Sequence, residues 1–356
     1  GDSEGFGALL PDGKAWAGEF YYQRGTPMFN NYKGPALDLG GKWIRGQNGA
    51  QPGRDWKDFA LIDWFVFGIR SNGTLWVSEK ASPWNQPQRL TNSLRQVGGD
   101  TDWQAVAVAS YPAVLLKTDG TLWRWGEPAY TKLDRSHPFA SAPALLPFGS
   151  DWRKVIPGES GDSTAYAWKN DGSAWLLGFE RSKGGHCTME PLRAFDGLEW
   201  KERPATLTFL FDRGLLRRFQ IGVRSDGSLW WWEGSSSGKA STEVKDLRQI
   251  GTDTNWVSVL HGGRDFILVG LKTDGTLWKW SPFKFRRGYA SFAPDIPPKR
   301  LGRNNDWLAI HQSYQGVFAL AADGTLWFWW ERDGPQPLLA PPRRPVFLAS
   351  IFSGAK

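Results

Sequence analysis

Residues 115–126 read Leu115-Leu116-Lys117-Thr118-Asp119-Gly120-Thr121-Leu122-Trp123-Arg124-Trp125-Gly126. An apolar run enters Asp-Gly and an alternating run leaves it. Asp-Gly between two such runs is a strong hairpin signal, because a type I′ turn needs positive φ. The alternation after the turn reads as strand, and both runs are too short for helices.

The pattern recurs. Asp/Asn-Gly-small-x-Trp occurs at Asp12–Trp16, Asn72–Trp76, Asp119–Trp123, Asp171–Trp175, Asp226–Trp230, Asp274–Trp278 and Asp323–Trp327. Successive acidic or amide positions are 60, 47, 52, 55, 48 and 49 residues apart. A period near 50 residues marks a propeller blade. Two further markers accompany the turn. Trp56, Trp103, Trp152, Trp200, Trp256 and Trp307 each open a Trp-x-x-apolar stretch, 16 to 26 residues ahead of their turn. Pro-x-x-Leu follows it, as in Pro87–Leu90 and Pro298–Leu301. Each unit therefore offers four short strands, which is one blade.

The repeat also accounts for the composition. Of 23 tryptophans, 17 sit at its markers. Trp43, Trp64, Trp84, Trp168, Trp231 and Trp330 do not. The first turn lies too near the start of the chain to have a preceding tryptophan strand, while Val346-Phe347-Leu348-Ala349-Ser350-Ile351 has no turn after it. Joined end to start, Leu348 falls in the tryptophan place. The expectation is an all-β, seven-bladed β-propeller of four-stranded antiparallel blades. It spans residues 1–356 as one domain and is closed by pairing of the N- and C-terminal segments.

Hydrophobic residues make up 40% of the 356 and charged residues 22%, enough for a core and for solubility. No apolar run approaches the ~18 residues of a membrane span. The net charge of +7 is modest and dispersed, and permits only weak attraction to acidic partners. Cys187 is the one cysteine, so no internal disulfide forms. The start at Gly1 reads as a processed or trimmed end.

The repeat resembles the regulator-of-chromosome-condensation family of seven-bladed propellers over nearly the whole chain. The match is the apolar-apolar-x-x-Asp-Gly-x-Leu-Trp-x-Trp run, fullest at Leu115 to Gly126. The resemblance implies a rigid disc that binds another protein. Members include exchange factors on chromatin, ubiquitin-ligase modules, a plant ultraviolet photoreceptor and a secreted bacterial inhibitor of β-lactamases. The family's Gly-x-x-His is missing here: the corresponding stretches read Gly262-Gly263-Arg264-Asp265-Phe266 and Tyr314-Gln315-Gly316-Val317-Phe318. Its Gly-Gln-Leu-Gly and the photoreceptor's Gly-Trp-Arg-His-Thr are absent too. The pattern is nearer the bacterial members, which leans toward a secreted or periplasmic location. The single cysteine fits a cytoplasm equally well.

No catalytic set stands out. The histidines are His137, His186, His261 and His311. The last two follow their marker tryptophans by five and four residues, near equivalent strand ends, but no acidic or thiol ligand recurs with them. His186-Cys187 reads as a loop pair whose side chains diverge. The repeated Asp belongs to its turn, and no phosphate-binding glycine loop is present. The expectation is a non-enzymatic, monomeric protein-binding module with no cofactor and no metal. Repeat-obeying residues are committed to packing, so a partner is read by residues that break the repeat: Trp84, Trp231, Phe283, Phe285, Arg286, Arg287 and Trp330. Two alternatives compete. A lectin-like propeller would stack sugars on exposed tryptophan. A nucleic-acid or chromatin-associated propeller would use basic clusters such as Lys284–Arg287, although interspersed acids disfavour this.

Overall fold

The computed structural model describes residues 3–9, 15–23, 26–29, 37–38, 56–62, 65–79, 95–108, 112–126, 142–158, 164–180, 186–202, 204–210, 216–234, 244–261, 267–286, 289–293, 296–312, 317–322, 325–329 and 346–350. It is an all-β propeller of four-stranded antiparallel blades. The helix among the described residues is a single 3-10 turn, Arg193–Phe195.

Each sheet can be named by its turn. The Asn72 sheet pairs Trp56–Ile62, Phe65–Arg70, Leu75–Glu79 and Arg95–Gln96 in that order. The Asp119 sheet has Trp103–Ala107, Ala113–Lys117, Leu122–Trp125 and Ala144–Leu145. The Asp171 sheet has Trp152–Pro157, Thr164–Lys169, Ala174–Glu180 and His186–Pro191. The Asp226 sheet has Ala205–Leu210, Leu216–Val223, Leu229–Gly234 and Lys245–Gln249. The Asp274 sheet has Trp256–His261, Leu268–Lys272, Leu277–Trp280 and Lys299–Leu301, with the hairpin Phe283–Arg286 and Tyr289–Phe292 inserted before its last strand. The C-terminal sheet has Trp307–Gln312, Val317–Ala321, Thr325–Trp329 and Val346–Ser350.

In every sheet but the N-terminal one, the second strand is the apolar run ahead of the turn. Ala113–Lys117 and Leu268–Lys272 are buried along their whole length, as expected of strands covered on both sides. The marker tryptophans fill the space between blades. Trp152, Trp200 and Trp256 are almost wholly buried, as are Trp125 and Trp232 from the third strands. A tryptophan buries about 150–250 Å², so each is worth roughly 4–6 kcal/mol as an upper bound. Trp200 and Trp232 stack at 4.7 Å with Phe195 edge-on to both, which joins the Asp171 and Asp226 sheets.

The turn glycine is also a joint between blades. Its carbonyl accepts the N–H of the next blade's marker tryptophan: Gly73 from Trp103, Gly120 from Trp152, Gly227 from Trp256 and Gly275 from Trp307, at 3.1–3.2 Å. At Gly275, φ is +73°, and a Cβ there would lie 2.2 Å from the Asn305 carbonyl oxygen. Glycine is required both by the turn conformation and by the approach of the next blade.

Two readings of the sequence need correction. Among the described residues, the C-terminal segment does not pair with the N-terminal one. Val346–Ser350 pairs with Thr325–Trp329, with Phe347 opposite Trp327 and Val346 opposite Phe328. Arg300 and Lys299 hold the same places opposite Trp278 and Lys279. The segment is therefore an outer strand, and Pro345-Val346-Phe347-Leu348 is one more copy of Pro-x-x-Leu. In the N-terminal sheet, Ser3–Leu9 is the edge strand, paired with Ala15–Gln23, which also carries Thr26–Phe29 and Leu37–Asp38. Ser3–Leu9 packs against the first strands of the Asn72 and C-terminal sheets. Trp200, in turn, opens no strand. It makes an isolated bridge to Arg224, and the strand starts only after Pro204 at Ala205. Proline cannot donate to a ladder, which accounts for the late start of this strand.

Candidate functional site

The antiparallel connections give the disc two unlike faces. One carries the Asp-Gly turns and the starts of the first strands. The other carries the links from third to fourth strands.

On the turn face the repeat builds a clamp. The residue two before the turn Asp or Asn is Arg70, Lys117, Lys169, Arg224 or Lys272. Lys117 Nζ lies 4.6 Å from the Trp103 ring and 4.7 Å from the Trp123 ring, and bonds Asp100 at 2.8 Å and Asp102 at 3.0 Å. Lys272 repeats this between Trp256 and Trp278, at 4.6 and 4.3 Å, with Asp253 at 2.6 Å. Lys169 lies between Trp152 and Trp175 with Asp151 at 3.1 Å. Burial works against the Lys117 charge, but hydrogen bonds to Asp100 and Asp102 and their charges outweigh it and hold the ammonium above its usual range. The turn Asp joins a relay. Trp278 Nε1 donates to the Thr276 hydroxyl at 2.8 Å, which donates to Asp274 at 2.6 Å; Trp123, Thr121 and Asp119 do the same. These hydroxyl bonds, with backbone N–H bonds, hold Asp119, Asp171, Asp226 and Asp274 below the usual carboxylate range. The signal for both devices was in the sequence as Lys/Arg-x-Asp/Asn-Gly-Ser/Thr-x-Trp.

Carboxylates also lock blades together. Asp58 Oδ2 accepts the Val106 N–H at 2.8 Å, and Glu202 Oε1 accepts that of Val259 at 3.1 Å. Glu199 pairs with Arg153 at 2.9 Å and Lys154 at 3.0 Å.

The opposite face holds the inserted hairpin. Its register sets Phe283 against Phe292, Lys284 against Ser291, Phe285 against Ala290 and Arg286 against Tyr289. Tyr289–Phe292 contacts Ala205–Leu210 of the neighbouring Asp226 sheet.

The expected partner-binding residues divide sharply. Phe283, Phe285 and Arg286 lie on this hairpin. Trp84, Arg287 and Trp330 lie outside the described residues. Trp231 is 6% exposed and packs on Phe219 within a cluster that reaches Trp256 and Leu268. It is core, not surface. Its neighbours Trp230 and Trp232 follow the repeat, so the third tryptophan falls on the other face of the strand, against the Asp274 sheet. Trp168 is also buried, its Nε1 donating to the Leu198 carbonyl at 3.0 Å.

The histidine and cysteine readings change as well. His186 and Cys187 belong to the strand His186–Pro191, opposite Glu180 and Phe179. Burial pushes the Cys187 thiol up to about 12, far from a reactive thiolate. His261 pairs with Leu268 and His311 with Phe318, whereas the register match of His261 is Gln312 opposite Val317. The two histidines therefore sit on opposite faces of their sheets. Burial lowers His261 to about 4, and its Nε2 has no hydrogen-bond partner. Among the described residues, no group of three or more His, Cys, Asp or Glu side chains is placed to hold a metal. None of the helical structure described is long and apolar enough to cross a membrane.

No family model matches the chain, and no curated protein matches its sequence. Solved structures do. Human WBSCR16 aligns at a TM-score of 0.47 and 14% identity over 94% of this chain and 93% of that one. Prp20p from Saccharomyces cerevisiae, studied for binding to Gsp1p and histones, aligns at 0.49 and 12% identity over 82% and 76%. Yeast RCC1 (Prp20) bound to Kap60 aligns at 0.50 and 13% identity over 82% of this chain and 74% of that one. At that identity the likeness is one of fold: the chain is a β-propeller similar to RCC1.

Proposed function

We propose that the chain is a non-enzymatic, protein-binding propeller of seven blades, and that its partner docks on the face opposite the turns, at the inserted hairpin. The hairpin carries this reading. It interrupts an otherwise regular blade between Trp280 and Lys299, and its sequence alternates aromatic and cationic residues from Phe283 to Arg286. By chain position, Trp84, Arg287 and Trp330 fall in the same link between third and fourth strands. Loops held on a rigid scaffold lose little entropy on binding. The structurally similar yeast RCC1 was itself captured with a protein partner, Kap60. The blade number is supported by one Asp/Asn-Gly turn per sheet along the chain. The cations of this stretch, Lys284, Arg286 and Arg287, suit an acidic partner surface.

The test is chemical cross-linking of the full chain to partners from its own source, read by mass spectrometry. The expected result is a protein captured by the wild type and lost with Lys284→Glu/Arg286→Glu at unchanged melting temperature. Unchanged capture sinks the hairpin assignment. Capture of nucleic acid or glycan in place of protein selects one of the alternatives, and reproducible turnover lost in a point variant defeats the non-enzymatic reading. A rotational class average with another blade count corrects the ring.

A further inference from the structure

Wherever a first strand begins at its marker tryptophan, a bulge follows. The register skips a residue between Trp56 and Asp58, Trp152 and Lys154, Trp256 and Ser258, and Trp307 and Ala309. Gln104 is passed over in the same way, since Trp103 faces Lys117 and Ala105 faces Leu116. A bulge leaves its extra residue unpaired and re-aims its side chain. Lys57, Gln104 and Arg153 make this position polar. Gln104 reaches the Arg153 carbonyl at 3.3 Å, and Arg153 reaches Glu199 at 2.9 Å. The last two sheets instead place Val257 and Leu308 there, 36% and 38% exposed. With Leu145 they are the exposed large hydrophobic residues among those described. The first strands of these two sheets pack against each other, and each bulge lies at the turn-face end of its strand.

Two carboxylates near the pair, Asp274 and Asp306, make no direct ion pair among the described residues. The bonds from Trp256 to Gly227 and from Trp307 to Gly275 hold the bulges against the turns of Asp226 and Asp274. Asp226 is paired with Arg224 at 3.1 Å. Asp274 is held below the usual carboxylate range by its bonds from Thr276 and by the charges of Lys272 and Arg300, and makes no direct ion pair among the described residues. Asp306 stands in the place of Asp102, but the place of Lys117 is taken by Ala321, opposite Trp307. That blade's second strand therefore supplies no lysine to Asp306. Of the nearby cations, Lys272 is paired with Asp253, while Arg300 donates to the neutral Arg303 and Asn304 carbonyls and keeps its charge. Exposed Arg303 is the opposing charge on the same loop.

We propose that Val257, Leu308, Asp274 and Asp306 form a second docking surface, separate from the hairpin, which takes a segment of another protein where an apolar side chain is flanked by lysine or arginine. The apolar side chain covers the bulge pair. A flanking cation supplies to Asp306 the charge that Lys117 supplies in the Asp119 sheet.

The test uses the full chain and three fluorescent hexapeptides in anisotropy titrations: Gly-Lys-Leu-Leu-Lys-Gly, its Glu-for-Lys counterpart and its Ser-for-Leu counterpart. The expected result is saturable binding of the first alone, weakened by salt. Val257→Ser/Leu308→Ser and Asp274→Asn/Asp306→Asn should each weaken it at least about tenfold, or about 1.4 kcal/mol. Ala321→Lys should weaken it by supplying an internal cation. Leu145→Ser and Lys284→Glu/Arg286→Glu should leave it unchanged, so this surface and the hairpin fail independently. Equal binding of the acidic peptide, no binding of the basic one, or a wild-type dimer dissolved by Val257→Ser/Leu308→Ser overturns the proposal. Melting curves confirm that each variant is folded.

Discussion

The Asp274 sheet and the C-terminal sheet are built on one plan and differ at a few positions. In the first, Lys272 lies between Trp256 and Trp278 and bonds Asp253. In the second, Trp307 and Trp327 meet edge to face at 6.0 Å, much as Trp256 and Trp278 do at 6.4 Å, with Ala321 where the lysine stands. The tryptophan geometry survives without the cation. Aromatic packing thus sets the blade joint, and the clamp is an addition to it. Where the addition is missing, a carboxylate is left for other uses.

The largest expected effect tests that ranking. Trp256→Ala should cost about 3–5 kcal/mol, the range for emptying a large aromatic site in a core. Trp307→Ala should cost less, because no lysine clamp collapses with it. Denaturant melts of the two variants decide this, and equal losses would mean that the lysine adds nothing to the joint.

A second difference lies at the far end of the same strands, where His261 is matched in register by Gln312. The folded His261 titrates near 4, below its ordinary value of 6.5. The unfolded chain therefore binds the extra proton first, and stability falls as pH drops from about 6.5 toward 4. The loss should reach about 3 kcal/mol at the low end. His261→Gln, which makes the two sheets alike, should flatten that part of the pH profile. A profile that keeps its slope in the variant assigns the effect to other groups.

Smaller changes follow at the clamp itself. Lys272→Met should cost about 1 kcal/mol, since its partner Asp253 is more than half exposed and solvent screens the pair. Ala321→Lys should return a similar or smaller amount to the C-terminal sheet through Asp306. A melting temperature that does not rise would show that the second site is closed to a lysine from its own strand. The smallest effect belongs to the turns. Asp274→Asn should change stability by less than about 0.5 kcal/mol, because Asn72 already accepts the same two bonds from Thr74. A larger loss would show that the turn charge matters to the neighbouring lysine.

Much of this was legible in sequence because the repeat is local. Asp-Gly fixes a turn within four residues, and alternation on either side fixes two strands. The unread parts have local signals too, in Lys/Arg-x-Asp-Gly and in Ser/Thr after the glycine. Their meaning depends on a tryptophan that arrives from 16 or more residues upstream. The closure was misread because Leu348-x-x-Ile351 and Pro345-x-x-Leu348 overlap in one segment. Only pairing energy against Thr325–Trp329 decides between them.

The candidate surfaces divide along the same line. Composition singled out Trp231 as an extra tryptophan, and alternation put it on the face opposite Trp230 and Trp232. That this face is covered by the Asp274 sheet follows only from how blades pack. Val257 and Leu308 look like ordinary strand hydrophobics, and periodicity would bury them. A bulge after each marker tryptophan turns them outward instead. By itself, the sequence determined the repeat and the four-stranded unit, because each is specified by residues a few positions apart. The tertiary structure decided which faces are covered, which carboxylates keep a lysine and which side chains a bulge re-aims, because those depend on contacts between residues one blade apart.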